Sequence, residues 1–209
     1  KILREKFPQF ADIEIPFNIV NNVTLSTMHG CPPEEIEKIC WYLLERGLHT
    51  TVKLNPTLLG KETVMHILHD RLGFKEIYIP NAVFDRDLQW DQAVELIKGL
   101  KEVAAGRGLT FGVKLSNTLA MANHKGYLPG DEIYMSGRAL YPITINLFHR
   151  LLQEFNGDLE VSFSAGADAF NVTSILASSA WSVSVVTDLL KPGGYSRLTQ
   201  CMENLERDM

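Results

Sequence analysis

The strands of this sequence are one-sided. In "TTVKLN" (50–55), Val52 and Leu54 fall on one face and Lys53 and Asn55 on the other. In "LTFGVKLS" (109–116), Val113 and Leu115 oppose Lys114 and Ser116. In "LEVSFS" (159–164), Val161 and Phe163 oppose Ser162 and Ser164. In "NVTLST" (22–27), Val23 and Leu25 oppose Thr24 and Ser26; in "SVSVVT" (182–187), Val183 and Val185 oppose Ser184 and Val186. A sixth candidate is "EIYIP" (76–80). Successive side chains of a strand alternate faces, so each segment offers one apolar face and one small or polar face.

Helical segments lie between these strands, at 34–46, 62–72, 90–105, 143–155 and 168–179, with a last one marked by Tyr195, Leu198, Met202 and Leu205. In "EEIEKICWYLLER" (34–46), Ile36, Ile39, Cys40, Leu43 and Leu44 share a face; two prolines stand before it and Gly47 after it. Strands separated by helices predict parallel pairing through right-handed crossovers, an α/β fold. An open sheet covered on both sides would be apolar on both faces. A closed barrel with a polar mouth at the strand C-termini fits better. The expectation is a single (β/α)₈ TIM-barrel domain over 1–209, incomplete at its N-terminus, with about six of eight βα units. The opening "KILREKF", without an initiator Met, and an end inside a helical pattern are likewise expected of a stretch of a longer polypeptide.

Charge and cysteine content narrow the function classes. The net charge of −5 comes without a basic block, which argues against nucleic acid as partner. Apolar runs are too short to span a bilayer. The three cysteines, Cys31, Cys40 and Cys201, are widely spaced with no CxxC, which points to a reducing cytoplasm and gives no metal site.

In a barrel the chemistry sits just after the strands. There the sequence reads "STMHGCPP" (26–33), "NPT" (55–57), "PNAVFD" (80–85), "SNT" (116–118), "SAGAD" (164–168) and "TDLLKPGG" (187–194). Lys53 and Lys114 would point into the barrel near this rim. Gly-containing turns after the last two strands are the usual place for a phosphate, held by backbone N–H groups.

The phrases "VTLSTMHGCPP", "VKLNPT", "LSNT", "MSGRALYPI", "SFSAGAD" and "VVTDLL", in this order, resemble the flavin barrel of dihydroorotate and dihydropyrimidine dehydrogenases. The stretches "LSTMHGCPPEEIEKI", "GVKLSNT", "YMSGRALYP", "SAGADAFN" and "LLKPGGYSRL" are similar, more narrowly, to the YgfK family, which carries the name of a selenate reductase subunit. The resemblance runs from about residue 14 to residue 198.

It implies an FMN-type oxidoreductase barrel inside a larger iron–sulfur flavoprotein, with FAD, NAD(P)H and iron–sulfur clusters held elsewhere in the polypeptide. The implied substrate is a nitrogen heterocycle such as a purine, reduced or oxidised at a C=C or C=N bond; the implied partners are other domains or subunits of a redox complex. Lys53, with Lys114 as its rival, would face the flavin N1/O2 edge, where a cation favours the anionic reduced ring. Cys31 would supply the proton that accompanies the hydride. Asn117 and Thr118 would face the flavin, Asn55 the substrate, and Ser136 and Gly137 the ribityl phosphate. Gly166, Thr187 and Asp188 would line the phosphate. His29 is a candidate substrate contact; alternatively it satisfies a backbone group.

Two departures from the flavin pattern stand out: "SAGAD" has one Gly where two are usual, and Asp188 stands where a small neutral residue is expected. A carboxylate beside a phosphate costs free energy unless it points away or a cation intervenes, and Arg138 is a candidate for that cation. Two other functions stay open: a flavin-free barrel serving as a scaffold, and a phosphate-binding lyase using Lys53 or Lys114 as a Schiff-base nucleophile.

Overall fold

The computed structural model describes residues 5–10, 12–14, 17–27 and 29–208. Five strands form one parallel sheet in the order β1 (Asn22–Ser26), β2 (His49–Leu54), β3 (Phe111–Leu115), β6 (Glu160–Phe163) and β7 (Ser182–Val183). Between β3 and β6 in the chain, β4 (Leu119–Ala122) and β5 (Glu132–Met135) form a separate antiparallel hairpin. The helices are α1 (Pro33–Glu45), α2 (Lys61–Met65), α3 (Asn81–Asp85), α4 (Trp90–Gly106), α5 (Tyr141–Glu154), α6 (Val172–Ala177) and α7 (Ser196–Asp208). A π-helical turn, His66–Arg71, continues α2.

The helices form where their ends are written into the sequence. Pro33 opens α1 with its φ already helical, and Glu34 and Glu35 favour the positive end of the helix dipole. Ile36, Cys40 and Leu44, four residues apart, are the buried stripe of α1. Gly47, at φ +75°, turns the chain away, and the Leu48 N–H returns to the Leu43 carbonyl. In α4 the Gln92 side chain accepts the Gln89 backbone N–H, and Ala93, Leu96, Ile97, Leu100 and Ala104 are buried.

The apolar strand faces behave as their alternation predicts. Val52, Leu54, Val113, Leu115, Val161 and Phe163 are all buried, and Phe163 meets Tyr141 and Phe148 of α5 edge-to-face at 5.9 Å. The opposite face carries a continuous polar row, because the register pairs Ser26 with Lys53, Lys53 with Lys114, Lys114 with Ser162 and Ser162 with Ser182.

Three expectations need correction. Residues 76–80 are not a strand: β2 pairs directly with β3 and leaves no gap for them. Ile77 closes a turn on the Phe74 carbonyl, and Pro80 leads into α3. Ile79 is buried by packing alone, and one bond, from the Ala122 N–H to the Tyr78 carbonyl, ties the segment to β4. The predicted strand 182–187 shrinks to Ser182–Val183, since Thr187–Leu190 winds into a 3₁₀ turn. The predicted helix 168–179 narrows to Val172–Ala177, because Asp168 and Asn171 build a turn with their side chains before it. Among the described residues, no helix is long and apolar enough to cross a membrane.

Candidate functional site

Lys53 and Lys114 are direct neighbours across β2 and β3, and alternation puts both on the polar face. The Lys114 ammonium donates to the Ser184 hydroxyl at 2.9 Å. Among the described residues neither lysine is paired with a carboxylate. The Lys53 ammonium is pushed below its ordinary range, first by burial and then by the Lys114 charge beside it. Two adjacent cations without a counter-ion form a site that favours an anionic occupant.

They line a cleft of about 290 Å³, close to the lower end of small-molecule sites. Its wall also holds Ser116, Asn117, Thr118, Ser136, Gly137, Ser164, Ser184 and Thr187. Seven of the predicted residues are thus together: Lys53, Lys114, Asn117, Thr118, Ser136, Gly137 and Thr187. Asn117 ties the strand ends beneath it. Its amide donates to the Thr27 carbonyl at 2.9 Å and to Asn55 Oδ1 at 2.8 Å, and its own carbonyl accepts the Ser26 hydroxyl at 3.2 Å. Asn55 is therefore a support for Asn117 and lies outside the cleft wall.

Gly166 and Asp188 line a smaller adjoining cavity of about 60 Å³, which shares Ser164, Val186 and Thr187 with the cleft. Both Gly137 and Gly166 have positive φ, +61° and +75°. A Cβ on Gly166 would lie 2.6 Å from the Gly137 carbonyl oxygen, and one on Gly137 would lie 2.7 Å from a Thr187 methyl. A single glycine in "SAGAD" thus suffices for the close approach, because its partner comes from another turn.

The Asp188 carboxylate does not stand free beside this cavity. It is buried, and it accepts Lys191 Nζ at 2.8 Å and Arg197 Nε at 2.8 Å. The Arg197 hydrogen bond, and then Lys191, hold it below the usual carboxylate range against the cost of burial. Arg138, considered above as the cation that offsets Asp188, pairs instead with Asp168. The cavity wall holds Arg138 and Lys191 with Asp168 and Asp188, so both carboxylates are matched.

Cys31 and His29 lie elsewhere. Cys31 lines a cavity of about 10 Å³ with Thr27, Ile36, Leu54, Asn55, Leu58 and Leu88. Burial and the nearby Glu35 push its thiol above the ordinary range. His29 does satisfy a backbone group, the Thr118 carbonyl at 3.1 Å, and it also meets Asp87 Oδ2 at 2.8 Å. Sequence reasoning places Ser116, Ser164 and Ser184 on the polar face without assigning them a role, and it does not single out Asp87 at all. The serines follow from the same alternation as the lysines, whereas Asp87 follows α3 in irregular chain and carries no periodic signal.

Three comparisons bear on this arrangement. The model of the family described as "Oxidoreductase YgfK, N-terminal TIM-barrel domain" matches residues 3–209. The proteins named "Putative oxidoreductase YgfK" in Escherichia coli K12 and O157:H7 are each 52% identical over 193 residues. That covers 92% of this chain but 19% of each relative, so the chain spans about one fifth of their length. Among solved structures, ligand-free dihydroorotate dehydrogenase of Eimeria tenella aligns at a TM-score of 0.47 and 16% identity, over 95% of this chain and 62% of that one. Its complex with ferulenol aligns at 0.44 and 16%, over 84% and 55%.

Proposed function

Because the chain belongs to the YgfK oxidoreductase family, as its N-terminal TIM-barrel domain, we propose that it is the FMN-binding barrel of a larger redox polypeptide. The observation that carries this reading is the in-register pair Lys53 and Lys114, unmatched by any described carboxylate, at a hydroxyl-lined cleft. The residues fit the group in two respects. The ammonium pair suits an electron-rich ring edge, and the Gly137–Gly166 contact, turn packed on turn, brings the Ser136–Gly137 and Gly166 segments together at the edge of the cleft.

In this reading Lys53 and Lys114 face the ring, Asn117 and Thr118 fix its plane, and Ser136 and Gly137 hold the sugar chain. Gly166 and Thr187 hold the phosphate; Asp188 anchors Lys191 beside it and is not itself a ligand. Bound FMN supplies hydride transfer to or from a C=C or C=N bond of a nitrogen heterocycle, a purine being one such. Cys31 opens onto its own cavity and not onto the cleft, so its thiol, kept protonated by its surroundings, would hold the proton for the neighbouring atom only of a substrate that extends from the cleft to that turn. FAD, NAD(P)H and iron–sulfur clusters belong to the rest of the polypeptide, which works in the cytoplasm.

The test is the visible spectrum of the full polypeptide, followed by denaturation and identification of the released flavins. Stoichiometric FMN that is lost in Lys53→Ala supports the reading and selects Lys53 over Lys114. FAD without FMN sinks it and leaves the barrel as a scaffold. The depressed Lys53 amine favours one second reading, a Schiff-base lyase. Borohydride trapping of a keto acid on Lys53 would establish it; no mass shift would remove it.

A further inference from the structure

We infer that Asp87 and His29 form a charged clamp that holds the turn carrying Cys31 against the Asn117–Thr118 turn of the cleft, which makes both of them positioning residues.

The hydrogen bonds determine the charge of the ring. His29 Nδ1 lies 2.8 Å from Asp87 Oδ2, and Nε2 lies 3.1 Å from the Thr118 carbonyl. A carboxylate and a carbonyl can only accept, so both ring nitrogens must donate, and only an imidazolium has two N–H groups. The Asp87 side chain is 0% exposed and that of His29 is 16% exposed, so water does little to replace either bond. Asp87 accepts two more donors. Its Oδ1 takes the Gly30 N–H at 3.0 Å, and its Oδ2 takes the Thr57 hydroxyl at 2.6 Å. One carboxylate thereby fastens the turn before Cys31 to the turn after β2. The other end of that turn is held as well, since the Asn117 amide donates to the Thr27 carbonyl.

The surroundings set the pH window. The Asp87 hydrogen bond is the largest cause raising His29 above 6.5; burial and Arg86 oppose it. Tyr134 of β5 stacks over the ring at 6.3 Å, and its hydroxyl is committed to Glu132, which also pairs with Arg86. Because the folded value for His29 is raised, the clamp is fully formed below pH 6.5 and opens as pH rises through that raised value. Asp87 is shifted the opposite way, so the clamp also opens in acid, as pH falls through a value below 3.8.

Cys31 is its own reporter. The Cys40 and Cys201 side chains are buried, whereas Cys31 is partly open, and the three fall in separate tryptic peptides. The experiment is iodoacetamide alkylation of the full polypeptide, native and variant, read peptide by peptide by mass spectrometry from pH 6 to 10. Asp87→Asn should raise the Cys31 rate at pH 7 roughly tenfold, the size of a lost charge-assisted hydrogen bond. Cys40 and Cys201 should keep their slow rates.

With the thiolate fraction divided out, the native profile should step upward above pH 6.5. The step should move to lower pH in Asp87→Asn and vanish in His29→Gln. A native profile with no step, with native Cys31 rates in both variants, overturns the clamp. If Asp87→Asn also frees Cys40 and Cys201, it has unfolded and His29→Gln alone decides. The value of the clamp to catalysis rests on the proposed role of Cys31, but the alkylation readout does not. Failure of the flavin reading shows as absence of FMN from the native protein; failure of the clamp shows as unchanged alkylation.

Discussion

Gly166 occupies a position where two turns meet backbone to backbone. Its φ of +75° is strained for any residue with a Cβ, and that atom would lie 2.6 Å from the Gly137 carbonyl oxygen and 2.9 Å from the Arg138 Cα. Neither obstacle is the flexible end of a side chain, so relief requires the turns to separate. Gly166→Ala should therefore cost about 1–3 kcal/mol and release the proposed FMN. Both are measurable as a lower urea midpoint for the barrel and a lower FMN-to-protein ratio. Gly126→Ala, also at positive φ but with open space around it, should destabilise modestly and leave FMN in place. The lysines were legible at this scale because a cation on the polar side of a strand breaks composition without breaking alternation. Asp87 was not legible, since its importance lies in Thr57 and His29, 30 and 58 residues away in the chain. Nor could spacing separate Cys31 from the lysine cleft, because both follow strand ends and differ only in where their turns fold.

Gly112 shows the same logic within an element. It stands in β3 between Thr51 and Glu160, two residues before Lys114 on the same face. A Cβ there would lie 2.7 Å from the Glu160 carbonyl oxygen and 3.2 Å from the Glu160 Cβ. A glycine within a strand marks such an approach of neighbouring backbones. Gly112→Ala should push β6 away from β3 at a cost of about 1–3 kcal/mol. Hydrogen exchange of the 109–116 amides in graded urea should show protection lost at a lower concentration than in the native protein. Because the Lys114–Ser162 pairing is next along the same ladder, the polar row should loosen with it; unchanged protection would mean that the strands absorb the methyl. Element identity was legible where period and punctuation agreed, as in α1 with its prolines and Gly47. It failed at 76–80, where Ile77 and Ile79 alternate like a strand but Pro80 removes a donor and β3 already occupies the β2 edge. The β4–β5 hairpin was missed because Leu119–Ala122 is a plain apolar run, which periodicity cannot assign, and its partner lies past a nine-residue excursion.

The five-stranded sheet leaves β1 and β7 at its edges among the described residues. The family is a TIM-barrel one, and a closed barrel has no edges. Five strands are three short of eight, so closure requires strands beyond those described here. The polar face makes the same demand. Thr24 and Ser26 of β1 are exposed, whereas Lys53 and Lys114, two and three strands into the sheet, are half-buried by their neighbours. An eight-stranded barrel would enclose the whole row, and the cations would then lie at its mouth and not on an open surface. In the full polypeptide the β1 amides should consequently exchange nearly as slowly as those of β3, whose residues are almost all buried. In a fragment ending at the sheet edges, β1 should exchange at least tenfold faster than β3, since half its backbone groups would face water. Equal, fast exchange of β1 in both would show that nothing pairs with this edge and that the cleft is open-sided. The Lys53 amine would then be no more desolvated than in the five-stranded sheet, where burial and Lys114 already lower it, and a pH titration of its reactivity would give the same value in the fragment and the full polypeptide.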